Sequence, residues 1–330
     1  VADPRGRMID LGVLDVLSTL CSATSEMIQE LCARCICNLS MVVAKQTALI
    51  QGDGLDMLNM IGLVRSVSPV TKRLCVQAFL NLMQRNMEVM IKNGVSRALA
   101  SLVYVDDGAT KHACAKGFLV LSAHPAGRLE IAQRRPVQQA CYSLITYGTP
   151  KTVAVAFKAV CNLLTDDNTR ILVCRGGALP VLKIAVAVEN RELRQCCARV
   201  ILKLSCYEEC QPYLAEQPIV PSLVLILYKS EMWARICATC ALNSMSQQAA
   251  FRPALIEKNC IGALTYAVLN GKIYDTATLG QALRCCLQLS YNHAAAKQFI
   301  VTCKCLLLIH GCYQDGKCDL TFAELIVGIL

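Results

Sequence analysis

Residues 154–188 read AVAFKAVCNLLTDDNTRILVCRGGALPVLKIAVAV. Two helices and the corner between them are legible in this stretch. In the first, AVAFKAVCNLL, Val155, Ala159, Val160, Leu163 and Leu164 recur at the spacing of a helical turn and mark one buried face. Thr165, Asp166, Asp167 and Asn168 are turn and cap formers, so that helix ends there and a short one begins. Gly176-Gly177 break the chain again, because glycine accepts backbone angles that close a helix. Pro180 then falls in the first turn of the next helix, where its missing N–H has no intrahelical bond to lose.

The Asn-Leu anchor of this stretch recurs at Cys37-Asn38-Leu39-Ser40, Leu80-Asn81-Leu82-Met83 and Leu242-Asn243-Ser244-Met245. Degenerate copies stand at Leu119-Val120-Leu121-Ser122, Leu202-Lys203-Leu204-Ser205 and Leu287-Gln288-Leu289-Ser290. The anchors are therefore 38, 81, 120, 162, 203, 243 and 288, with spacings of 43, 39, 42, 41, 40 and 45. A weak further copy ends the chain at Gly328. A period near 40 in an all-helical pattern marks a stack of helical repeats.

Residues Asn162-Leu163-Leu164 and Gly176 to Leu182 resemble the signature of an armadillo repeat, and the resemblance extends over essentially the whole chain. It implies an all-α, right-handed α-solenoid of about eight armadillo repeats, with residues 1–330 as a single solenoid. Helices are expected over 9–20, 26–40, 55–65, 70–84, 87–92, 94–105 and 109–123, then over 126–147 with a break at Pro136. Gly148-Thr149-Pro150 stops the chain before the central repeat, and helices continue to the end, including 303–313 and one from about 320. Solenoids end in units with a polar outer face. Neither end has one, and Leu325 to Leu330 is apolar, so the chain is expected to be a segment of a longer protein.

The composition, 55% hydrophobic and 5% aromatic, suits helices packed through Leu, Val, Ala and Cys. No run of 18 apolar residues occurs, so no membrane span is expected. The 22 cysteines raise the question of a disulfide framework. Their phase argues otherwise. Cys32, Cys75, Cys114, Cys197 and Cys237 each lie six residues before an anchor, and Cys35, Cys240 and Cys285 three before. Cysteine fills a small buried slot in each repeat, which points to a reducing compartment: cytoplasm, with cytoskeleton, cilium or nucleus as variants. The Cys32-x-x-Cys35 and Cys237-x-x-Cys240 pairs read as core packing on the same ground, not as metal or redox sites.

The anchor and the residue four before it are neighbours on one helix face. The positions four before are Arg34, Gln77, Lys116, Lys158, Arg199, Thr239 and Arg284, five of seven basic. The anchors are Asn38, Asn81, Val120, Asn162, Lys203, Asn243 and Gln288. These two columns carry amides and cations and no carboxylate until Glu324. Packed helices stand roughly 8–10 Å apart, and an extended peptide advances about 3.3 Å per residue, so one repeat matches about three ligand residues. An amide donates and accepts at once and can pair with a peptide backbone; interspersed cations favour acidic or phosphorylated residues. The resemblance implies the same use, since groove asparagines in that family hold an extended partner, and Asn38, Asn81, Asn162 and Asn243 match the motif position. The bland alternative is a solvated basic face, given a net charge of +9. Importin-α carries tryptophan four residues before the asparagine. Here that column is basic, and Trp233, the one tryptophan, lies outside it, so the groove is more like that of β-catenin.

Other features are weaker. Residues 313–325 resemble half of a calcium-binding EF-hand loop, but too few oxygen ligands remain. His112, His124, His293 and His310 stand apart with no metal or nucleophile spacing and read as surface or corner residues. The groove columns lack aromatic residues on which bases could stack, which argues against nucleic acid. No acid, base or nucleophile constellation is present and no cofactor or metal is expected. The expected function is a non-catalytic protein-binding scaffold or adaptor holding an extended acidic partner segment in its concave groove. The alternative is a structural armadillo component of a large cytoskeletal or ciliary (axonemal) assembly.

Overall fold

The computed structural model describes residues 3–216, 219–271, 275–290, 294–303, 305 and 320–329. Among them every regular element is helical. The chain forms two compact units, Val1–Gly176 and Gly177–Leu330.

In the first unit the helices are α1 (Pro4–Asp10), α2 (Val13–Cys21), α3 (Glu26–Ser40), α4 (Gln46–Gln51), α5 (Gly54–Asn59), α6 (Pro69–Lys92), α7 (Val95–Leu102), α8 (Gly108–Ala123), α9 (Pro125–Gln133), α10 (Arg135–Tyr147), α11 (Pro150–Thr165) and α12 (Arg170–Arg175). A π-helical turn, Met60–Arg65, prolongs α5. The expected helix over 9–20 is two helices, because Gly12 adopts a left-handed φ of 80° between α1 and α2. The expected break at Pro136 falls two residues earlier, at Arg134, and Pro136 sits in the first turn of α10. A proline early in a helix has no intrahelical N–H bond to lose, so it starts α10 instead of ending α9. Within α6, Asn86 is non-helical (φ −120°, ψ 33°), which separates the two helices expected over 70–84 and 87–92.

Each repeat has a short first helix, a second helix and a long third helix. The third helices α3, α6, α8 and α11 pack side by side in that order. The second helices α7 and α10 pack on each other in a separate layer. Between the layers lie Ile36, Phe79, Phe118 and Phe157, all with at most 1% exposure. A fully buried side chain of this kind contributes roughly 1.5–3 kcal/mol. In α11 the expected apolar face is buried except Val155, which is half-buried; Ala156, Phe157 and Cys161 are buried as well.

The second unit contains α13 (Leu179–Ala187), α14 (Arg191–Ser205), α15 (Gln211–Ala215), α16 (Ile219–Lys229), α17 (Met232–Ser246), α18 (Arg252–Glu257), α19 (Cys260–Gly271), α20 (Thr276–Leu289), α21 (Ala294–Thr302) and α22 (Leu320–Val327). Third helices α14, α17 and α20 pack in order, second helices α13, α16 and α19 likewise, and α22 rests on α20. The helix expected over 303–313 falls mostly outside the described residues.

One corner recurs. A residue just before the second helix is left-handed at Gly12, Asp53, Gly94 and Asn259, and one position earlier at Gly177, with φ of 80°, 62°, 76°, 49° and 88°. Glycine, asparagine and aspartate tolerate this region best, so their recurrence at this corner marks the turn from first to second helix.

Candidate functional site

Helical geometry sets the face of each third helix. The slot six residues before the anchor points inward: Cys32, Cys75, Cys114, Cys197 and Cys237 are at most 6% exposed. Burial raises the pKa of the Cys75 thiol to about 12. The slot three before is less uniform. Cys285 is buried, Cys240 half-buried, and Cys35 exposed, so neither Cys-x-x-Cys pair lies wholly on the buried face as expected. That slot lies at the margin of the buried stripe. All cysteines among the described residues are free thiols.

On the opposite face of the third helices in the first unit, Arg34, Asn38, Gln77 and Lys116 are exposed, and Asn81, Lys158 and Asn162 half-buried. Since α3, α6, α8 and α11 pack consecutively, these residues form neighbouring columns within that unit. The asparagines do more than line a surface. Asn81 Nδ2 donates to Ser40 Oγ at 2.9 Å, and Asn162 Nδ2 to Ser122 Oγ at 3.0 Å. Each serine hydroxyl in turn donates to the carbonyl three residues earlier, Cys37 and Leu119. Gln77 Nε2 donates to Asn81 Oδ1 at 3.1 Å. One of the two N–H donors of each of these asparagines is therefore engaged between repeats.

The charges are also partly engaged. Arg34 pairs with Glu30 one turn earlier at 2.5 Å, so the first helix of the rail is not free of carboxylates. Lys116 is exposed on α8, with His112 one turn before it. Burial first, then the Lys116 and Lys151 cations, hold the His112 imidazole below its ordinary pKa. His112 Nδ1 lies 3.4 Å from Thr152 Oγ1 on α11. His112 is thus a half-buried interhelical residue, and His124 the joint between α8 and α9; His293 and His310 lie outside the described residues.

In the second unit Arg199 and Gln288 are exposed and Lys203 and Arg284 half-buried. Asn243 corrects the expectation of an open amide. It is 5% exposed, donates to Gln281 Oε1 of α20, and its own Oδ1 finds no partner among the described residues. Thr239 is 1% exposed and bonds back to the Arg235 carbonyl. Close packing of α17 on α20 covers both. Trp233 lies outside the basic column by sequence, yet it lines a cleft of about 360 Å³ with Arg199, Gln195 and Cys196.

A second recurring device escaped the sequence reading. Eight residues past an anchor, or nine at 252, a long polar side chain folds back on the end of the third helix. Gln46 Nε2 donates to the Ser40 carbonyl at 2.9 Å and the Asn81 carbonyl at 3.1 Å. Arg128 donates to the Ser122 and Ala123 carbonyls, both at 3.1 Å, and pairs with Asp166 at 3.0 Å. Arg170, 3% exposed, donates to the Leu164 carbonyl and pairs with Asp167. Arg252 donates to the Ser246 carbonyl at 3.0 Å and to Gln288 Oε1 at 3.1 Å. A cation there satisfies terminal carbonyls and opposes the negative end of the helix dipole. The signal available was the same period near 41 at which Gln46, Arg128, Arg170 and Gln211 recur. Asn162 shares a polar cleft of about 350 Å³ with the Arg128–Asp166 pair.

The Armadillo/beta-catenin-like repeat family model matches residues 2–41, the first three helices. An engineered protein superposes with a TM-score of 0.61 at 16% identity, over 90% of this chain and 72% of its own. Computationally designed armadillo repeat proteins for modular peptide recognition superpose at 0.58 with 15% identity, over 70% of this chain and 99% of theirs. The chain has the armadillo-repeat fold. A designed armadillo repeat protein in complex with the peptide (KR)4 shares this fold too, at a TM-score of 0.56 and 14% identity, over 70% of this chain and 98% of its own. A probable inactive serine/threonine-protein kinase from Dictyostelium discoideum is 28% identical over 111 residues, 33% of this chain but only 6% of that protein. The stretch matched by the family model contains the Asn38 anchor.

The EF-hand-like loop lies mostly outside the described residues, since 313–319 are not among them; Glu324 is exposed on α22. Among the described residues no three His, Cys, Asp or Glu side chains converge as metal ligands, and no single helix is long and apolar enough to cross a membrane.

Proposed function

We propose that this armadillo chain is a non-catalytic protein-binding scaffold whose third-helix face holds an extended, acidic segment of a partner. The observation that carries this reading is the alignment of Arg34, Gln77, Lys116 and Lys158 on the consecutively packed third helices, with Arg34, Gln77 and Lys116 exposed. Lys116 supplies exposed charge to that face, and Gln77 an exposed amide. The designed armadillo relatives for peptide recognition support peptide binding as the mode. The (KR)4 complex marks the contrast, because a basic peptide brought to Lys116 and Lys158 meets like charge. In the ladder, Asn81 and Asn162 fix neighbouring third helices through one N–H each and keep the second N–H for a partner.

The test is fluorescence anisotropy with a labelled peptide of alternating Glu and Gly and its Lys-Gly counterpart. The acidic peptide should bind, salt should weaken it, and Lys116→Glu with Lys158→Glu should abolish it. Equal affinity of wild type and variant for the acidic peptide would overturn the proposal, as would preference for the basic one.

A second reading, a fixed part of a large cytoskeletal or ciliary assembly, is favoured by the apolar exposure of Met8, Leu11, Val16, Met27 and Leu31 on α1–α3. A stable monomer in ultracentrifugation, indifferent to concentration, would count against it.

A further inference from the structure

A cleft of the first unit lies away from the basic rail. It opens between second helices α7 and α10, has a volume of about 690 Å³, and is lined by Arg97, Ala100, Tyr104, Arg135 and Val137 among others. Ala100 and Val137 form a buried apolar floor, at 7% and 1% exposure, and Tyr104 stands exposed at the rim. Three arginines, Arg97, Arg134 and Arg135, line the cleft, and no carboxylate is among its lining residues. The nearby Glu130 is already taken: its Oε1 accepts from Arg134 Nε at 2.5 Å and from Ser96 Oγ at 2.7 Å. Arg97 and Arg135 are left exposed beside an apolar floor. The N-terminus of α10 also opens here without a side-chain cap or an acidic residue in its first turn.

We propose that this cleft binds a phosphorylated side chain of a partner protein segment. Its apolar stem or ring rests on Ala100 and Val137, and its phosphoryl group meets Arg97 and Arg135. The charge pattern selects this occupant. A guanidinium fork matches phosphate oxygens with two parallel hydrogen bonds, and a dianion satisfies two such forks at once. A purely apolar occupant would desolvate two arginines without pairing them, which is unfavourable. The proposal is independent of the third-helix rail, because no residue of the rail lines the cleft.

The test uses the 330-residue chain and three small probes: phenyl phosphate, inorganic phosphate and phenol. Methyl NMR follows Ala100 and Val137. Phenyl phosphate should shift both signals saturably, and the other two probes should bind roughly tenfold more weakly or less. Arg97→Gln with Arg135→Gln should remove the phenyl phosphate response while far-UV circular dichroism stays unchanged. Lys116→Glu should leave that response intact, which separates this site from the rail. A response to inorganic phosphate as strong as to phenyl phosphate means a bare anion site and overturns the proposal. Equal response to phenol means a merely apolar cleft, and no saturable shift means no site; either overturns it too.

Discussion

The side-chain amide of Asn81 donates to the hydroxyl of Ser40, one repeat earlier, across 2.9 Å. Asn162 repeats the contact on Ser122. An asparagine that is expected to face a ligand thus also fastens adjacent third helices. Asn81→Ala should lower stability by about 1 kcal/mol, the usual net worth of a hydrogen bond. Ser40→Ala should cost a similar amount, and the double variant less than the sum. A double-mutant cycle by chemical denaturation measures the coupling; strict additivity would refute the interlock.

Arg170 is buried at 3% exposure and holds the Leu164 and Thr165 carbonyls at the end of α11. Arg170→Met keeps the volume but leaves those carbonyls without their donor. The expected loss is about 2–4 kcal/mol, in the range for breaking a buried charged network. Arg170→Lys should recover only part of it, because a point charge cannot reproduce the fork. Thermal unfolding of the three proteins gives the order.

Gly177, at φ 88°, and Gly127 test two different reasons for glycine. Gly177→Ala has open space around its new methyl group but a strained backbone, and should cost about 1–2 kcal/mol. At Gly127 a Cβ would fall 2.1 Å from the Leu121 carbonyl oxygen. Gly127→Ala should therefore shift the joint between α8 and α9 and destabilise more than Gly177→Ala. Parallel urea titrations compare them.

His112 gives a pH prediction. Its folded pKa lies below the unfolded one, so the unfolded chain takes up its proton first as pH falls. Its contribution to stability is present above the unfolded pKa and is lost as pH falls through the folded pKa. His112→Gln should flatten that acid-side loss. A bound acidic peptide offsets the Lys116 and Lys151 cations and should raise the His112 pKa, so its binding takes up protons and tightens at lower pH. Proton NMR of the imidazole, with and without the acidic peptide, reads both effects; an unmoved titration would place the peptide elsewhere.

The helical stack was legible because its signals are periodic and local. The anchors from Asn38 to Gln288, the buried cysteine slots and the stop at Gly148-Thr149-Pro150 all follow from spacing. The fate of each column residue was not. Asn243 is covered by Gln281 through a contact that depends on how closely α20 packs on α17, whereas the Arg34–Glu30 pair is local, four residues apart on one helix. The Arg128 and Arg252 clamps were missed for a related reason. They lie in short first helices whose polar side chains read as solvent-facing, and only their common phase betrays them. The cleft at Arg97 and Arg135 joins residues of two repeats with no shared motif.

The slot filled by Cys32, Cys75, Cys114, Cys197 and Cys237 turns the array into its own reporter. A thiol held protonated and out of solvent reacts with an alkylating agent only when its helix opens. With one such thiol in each of five repeats, the order of labelling would map which part of the stack loosens first, with no probe added.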